Sequence, residues 1–128
     1  MATPYVADIP DMAMFSVTSD SLDSRMDFLI EEVWKGIQDP KIQQLASRIM
    51  EEHNVPSRDG EAEAKAVFDW VRTNIRYTRD PEGLELFRKP IRTVQLGLAD
   101  CDDMSILIGA LLGTIGHKVM LRVIGVQS

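Results

Sequence analysis

The run Ala99-Asp100-Cys101-Asp102-Asp103 holds the only cysteine of the chain and stands directly before a long apolar stretch. A thiol in the first turn of a helix meets free backbone N–H groups and the positive end of the helix dipole, and both favour the thiolate. Thiolate is the nucleophile of acyl transfer, so this is a place for a catalytic cysteine. Three flanking aspartates work the other way, since nearby negative charge disfavours a second anion. The net effect has no sign at the level of sequence. A buried structural thiol is the competing reading of Cys101.

Asp100, Asp102 and Asp103 have a plainer role as caps and dipole partners of the first helical turn, and for Asp102 and Asp103 this is the preferred account. Oxygen ligation of Ca²⁺ or Mg²⁺ is the other option, but the run lacks the Gly and distal Glu of a calcium loop. No metal is expected. Nucleophilic catalysis by a thiol also needs a base, usually His held by a third polar group. The chain has two histidines. His53 closes a helix, where a cation suits the negative dipole end. His117 stands at the far end of the helix that Cys101 opens, about 22 Å away at 1.5 Å per residue. Neither is placed to serve Cys101.

These residues are positioned by a mainly helical chain. Met26, Leu29, Ile30, Val33, Trp34 and Ile37 form one helical stripe, with Ser21 or Ser24 as cap and Gly36 and Asp39-Pro40 at the end. Pro40 suits the first position of a second helix, capped by Asp39, whose stripe is Ile42, Leu45, Ala46, Ile49 and Met50. The pair predicts an antiparallel helical hairpin over 21–55. A third helix runs from about Asp59-Gly60 to Asn74, with Ala64, Val67, Phe68, Val71 and Ile75 on one face. Phe28, Trp34, Phe68 and Trp70 read as core aromatics.

Between Arg76 and Asp100 lies a long polar connection that reads as a wall of the site. It holds a short strand at Arg76–Thr78, a turn at Asp80-Pro81-Glu82-Gly83 and a helical turn at Ile91–Val94. Tyr77, Phe87, Arg76, Arg79, Arg88, Lys89 and Arg92 gather there, either lining a pocket for a carboxylate-bearing group or forming a solvated charged loop. Tyr77 and Arg79 join Asp100, Asp102 and Asp103 as substrate-pocket candidates. The helix from Cys101 to Ile115 is apolar on most sides and must be surrounded. Gly116 ends it. Val119, Leu121 and Val123 then alternate with polar residues and longer side chains, predicting a half-covered strand over Lys118–Val126. Residues 1–20 read as an extended arm, and 21–128 as one domain.

With 128 residues, 45 % of them hydrophobic and 27 % charged, the chain fits one globular domain. Its net charge of −6 supplies no basic surplus for phosphate neutralisation, which argues against a nucleic-acid partner. One cysteine excludes an intrachain disulfide and a multi-cysteine zinc site. No segment reads as a secretory signal or a membrane span.

Taken together, Val71-Arg72-Thr73-Asn74-Ile75-Arg76-Tyr77, Pro90-Ile91-Arg92-Thr93 and Asp100-Cys101-Asp102-Asp103 with the apolar helix to Gly116 resemble the transglutaminase-like superfamily, over about 61–126. The Asp-Cys-Asp-Asp form followed by a long apolar helix resembles members carried by phages and prophages. Ala99 stands where the family usually has Gly. The resemblance implies an α+β, papain-like core in which a central helix opens at the nucleophile, here Cys101, and packs on an antiparallel sheet. It implies thioester formation at a glutamine or peptide amide, followed by transfer to an amine or water, with no cofactor. The family's base His and orienting Asp lie on strands after the one expected at Lys118–Val126. The expectation is therefore a C-terminally truncated domain with an incomplete sheet and no turnover. Self-association through the open edge of Lys118–Val126 follows from that expectation. The alternative is a non-catalytic phage or prophage structural module of the same fold. Cytoplasm of the producing cell or a phage particle is the expected location.

Overall fold

In the computed structural model the described residues are 5–6, 14–16, 22–78 and 86–121. They form a mostly helical molecule of five helices and five short strands. Helix α1 spans Leu22–Ile37, α2 Pro40–Glu52, α3 Gly60–Asn74, α4 Pro90–Leu96 and α5 Cys101–Ile115. The boundaries follow local chemistry. Asp39 caps α2 by accepting from the Lys41 N–H at 2.9 Å, ahead of Pro40 at the first position. Asp59 caps α3 through the Ala62 N–H, with Glu61 and Glu63 in the first turn. Gly116 ends α5 with φ +115°, a left-handed conformation that costs glycine little.

Helix α5 is the axis of the molecule. Leu107, Ala110 and Leu111 are buried against Ile42, Leu45, Ala46 and Ile49 of α2 and Val67 and Val71 of α3. On its other side Ile106 meets Leu29 and Val33 of α1. The expected α1–α2 hairpin is present in sequence order, but each helix packs mainly on α5 rather than on the other. Small residues permit the close approach of α1: Gly36 faces Ala110 and Pro90, and Gly113 faces Ile37.

The strands are β1 Tyr5–Val6, β2 Met14–Ser16, β3 Arg76–Tyr77, β4 Leu86–Arg88 and β5 Leu98–Ala99. β1, β2 and β4 form an antiparallel sheet, with Val6 opposite Phe15 and Phe15 opposite Phe87. The expected arm over 1–20 thus supplies two paired strands, and its remaining residues lie outside the described ones. β3 and β5 pair in parallel, Arg76 opposite Leu98 and Tyr77 opposite Ala99. Parallel neighbours require a crossover, and the segment that carries α4 provides it.

Several expectations are corrected. The antiparallel sheet anticipated after α5 is not formed by the described residues: 118–121 contain no strand, and 122–126 lie outside them. Instead Val119 and Leu121 pack on the Leu29, Val33 and Ile106 cluster. Their alternation reflects a segment laid over two helices rather than pairing in a sheet. The sheet leading into α5 is the parallel β3–β5 pair. Trp34 and Phe68 are not core, being 60 % and 55 % exposed, whereas Phe28 and Trp70 are half-buried beside the core. The wall over 76–100 is more ordered than a loop, since β4, α4 and β5 fall within it. The Asp80–Gly83 turn lies outside the described residues.

Candidate functional site

Cys101 is the first residue of α5 and its thiol is exposed. The turn before it is built by Asp100, whose Oδ1 accepts from the Asp103 N–H at 2.9 Å while its carbonyl accepts from the Met104 N–H at 3.0 Å. Asp100 is therefore the N-cap, as one of the two sequence readings held. The Ser105 hydroxyl donates to the Cys101 carbonyl at 2.8 Å and pins the first turn. The thiol lies 3.9 Å from Asp102 Oδ1.

The geometry gives the thiol acidity a sign. Partial burial pushes the Cys101 pKa up, the charges of Asp102 and then Asp100 push it further, and the backbone N–H groups only partly offset them. On balance these surroundings disfavour the thiolate of Cys101.

Asp103 is fully buried and has a different function from its neighbours. Its Oδ1 accepts from the Arg88 backbone N–H at 2.9 Å and its Oδ2 from Arg88 Nη1 at 2.6 Å. This two-point clasp joins β4 to the front of α5. Arg88, read from sequence as a pocket or solvent residue, is a structural partner with its side chain 14 % exposed. Nothing in the local sequence marks the pair, whose members are fifteen residues apart.

Neither histidine accompanies Cys101. His53 caps α2, its Nδ1–H directed at the Ile49 carbonyl at 2.9 Å. His117 follows the C-terminal end of α5 and contacts Glu63 Oε1 at 3.1 Å through Nε2. No group of three His, Cys, Asp or Glu able to hold a metal occurs among the described residues. No helix among them is long and apolar enough to cross a membrane.

The substrate-pocket candidates do not converge. Tyr77 lines a groove of about 740 Å³ between α3, the β3–β5 pair and α5, together with Phe68, Arg72, Arg76, Met104 and Ile108. Asp102 lines a separate cleft of about 390 Å³ with Met26, Leu29 and Ser105. Asp100 and Asp103 are engaged as cap and clasp, and Arg79 lies outside the described residues. Cys101 lines neither space: Met104 and Ile108, three and seven residues further along α5, line the Tyr77 groove, while Asp102 and Ser105 line the other cleft. The groove-lining Phe68, Arg72 and Leu98 were not singled out as site residues from sequence. Phe68 and Arg72 are one turn apart, a spacing equally common on any solvated helix face.

No family model, no curated protein and no solved structure matches this chain.

Proposed function

We propose that this chain carries a transglutaminase-like cysteine centre with a papain-like arrangement, in which Cys101 is positioned for acyl transfer but held dormant. The observation that carries the reading is an exposed thiol at the first turn of the central apolar helix. Attack would join the sulfur to the carbonyl carbon of a glutamine or peptide amide. The thiol proton would pass to the leaving nitrogen, and an amine or water would then take the acyl group from the thioester. Both steps need a proton carrier. His53 and His117 are engaged at remote helix ends, and the surroundings of the thiol disfavour its thiolate. These residues by themselves therefore support no turnover. Amide hydrolysis and amine incorporation assays on a glutamine peptide should give no Cys101-dependent product. Robust turnover abolished by C101A overturns the dormancy.

A second reading is a non-catalytic phage or prophage structural module. The raised thiol pKa and the use of Asp103 as a clasp rather than a catalytic group favour it. It requires C101A to leave assembly and partner binding unchanged, whereas loss of function in that variant favours the cysteine centre.

A further inference from the structure

We propose that the groove between α3, β3 and α5 binds an extended acidic peptide segment of a partner protein by strand addition to β3. The backbone supplies the first argument. Arg76 N–H donates to the Gly97 carbonyl and Thr78 N–H to the Ala99 carbonyl, each at 2.8 Å, so both point toward β5. Alternation along a strand turns the N–H and C=O of Tyr77 to the opposite edge. No strand among the described residues pairs with that edge. An open edge with directed donors and acceptors is a template for an added strand.

Side chains choose the occupant. Phe68 and Tyr77 are 55 % and 56 % exposed at the groove and Leu98 is 39 % exposed, so apolar residues on an added strand gain burial against them. Among the described residues, Arg72 and Arg76 are the charged side chains lining the groove, and no described carboxylate lines it. In a chain of net charge −6 this local excess of positive charge selects carboxylates. Two cations do not make a nucleic-acid track, because the molecule as a whole repels a polyphosphate. A partner strand alternating acidic and apolar residues presents one set to the arginines and the other to the rings. The inference goes beyond the thiol reading, since binding uses no atom of Cys101 and is measured without turnover.

The probe is a capped, fluorescently labelled heptapeptide alternating Glu with Val, compared by polarisation with its Lys-for-Glu counterpart on the wild-type chain. The Glu peptide should bind and the Lys peptide should not, with affinity falling as salt rises. Arg76→Glu should weaken binding by about tenfold. Tyr77→Pro deletes the outward N–H while leaving the bonds to β5, and should weaken binding beyond Tyr77→Ala, which removes only the ring. Equal binding of the two peptides overturns the proposal. So does binding unaffected by Arg76→Glu, displacement by a single-stranded oligonucleotide, or concentration-dependent self-association that blocks the peptide and identifies a second copy as the occupant.

Discussion

Asp102 Oδ1 lies 3.9 Å from the Cys101 sulfur, and its charge is the largest electrostatic cause of the raised thiol pKa after burial. Asp102→Asn should therefore lower the thiol pKa and speed iodoacetamide labelling at neutral pH several-fold. The wild-type rate should climb steeply only above the ordinary cysteine range; an unchanged profile in the variant would remove Asp102 from the account. Glu32 is a second residue whose environment outweighs its chemistry. It is 1 % exposed, its Oε1 lies 3.4 Å from Lys35 Nζ, and its Oε2 is buried without a hydrogen-bond partner. Burial raises its pKa, with Lys35 opposing. Because the folded state holds the proton more tightly, its stabilising contribution is full below the ordinary glutamate pKa. It is lost as pH rises through the raised value. Urea melts across mildly acidic to neutral pH should show the stability of Glu32→Gln improving relative to wild type as pH rises. Parallel curves would exclude Glu32 as the source. The acidic run at 100–103 was visible in sequence, but its division into cap, field and clasp was not. That division depends on Arg88, which β4 delivers to Asp103 from outside the local run.

Element by element, junctions are set by atoms too small or too buried to tolerate change. Asp103 is fully buried on Arg88, so Asp103→Asn takes the negative charge out of the buried clasp. A loss of about 3 kcal/mol is expected in chemical denaturation, with β4 released from α5. A Cβ at Gly36 would stand 2.7 Å from the Ala110 Cβ and 2.9 Å from the Pro90 ring, with no flexible tip to yield. Gly36→Ala should accordingly destabilise by about 1–3 kcal/mol of overpacking, less the ~1 kcal/mol that alanine gains in a helix. Measured stabilisation would mean that α1 and α5 separate without penalty. Caps at Asp39 and Asp100, the start of α3 near Asp59-Gly60 and the stop at Gly116 were legible because they are local hydrogen-bond chemistry. The parallel β3–β5 pairing was not, because its partners are separated by a crossover and each strand is only two residues long.

For the molecule as a whole, α5 couples two apolar clusters that would otherwise be separate. Leu107 is fully buried among α2, α3 and α4 residues, while Ile106 faces α1. Leu107→Ala should cost about 3 kcal/mol, and fluorescence and circular dichroism should still report one coincident transition. Two resolved transitions would show that α1 folds apart from the rest. His117 with Glu63 and Arg88 with Asp103 tie the two ends of the same helix to α3 and β4.

By itself the sequence determined the ends of α2, α3 and α5, that Cys101 opens the central helix, and that His117 stands at that helix's far end. Those follow from capping, periodicity and rise per residue, all local quantities. Tertiary structure alone decided that the surroundings of the thiol push its pKa up, that Asp103 serves Arg88, and that Trp34 and Phe68 face solvent. It also decided that Val119 and Leu121 cover helices instead of extending a sheet. Each of these is settled by what a distant segment places alongside, because desolvation, ion pairing and coverage act through space rather than along the chain.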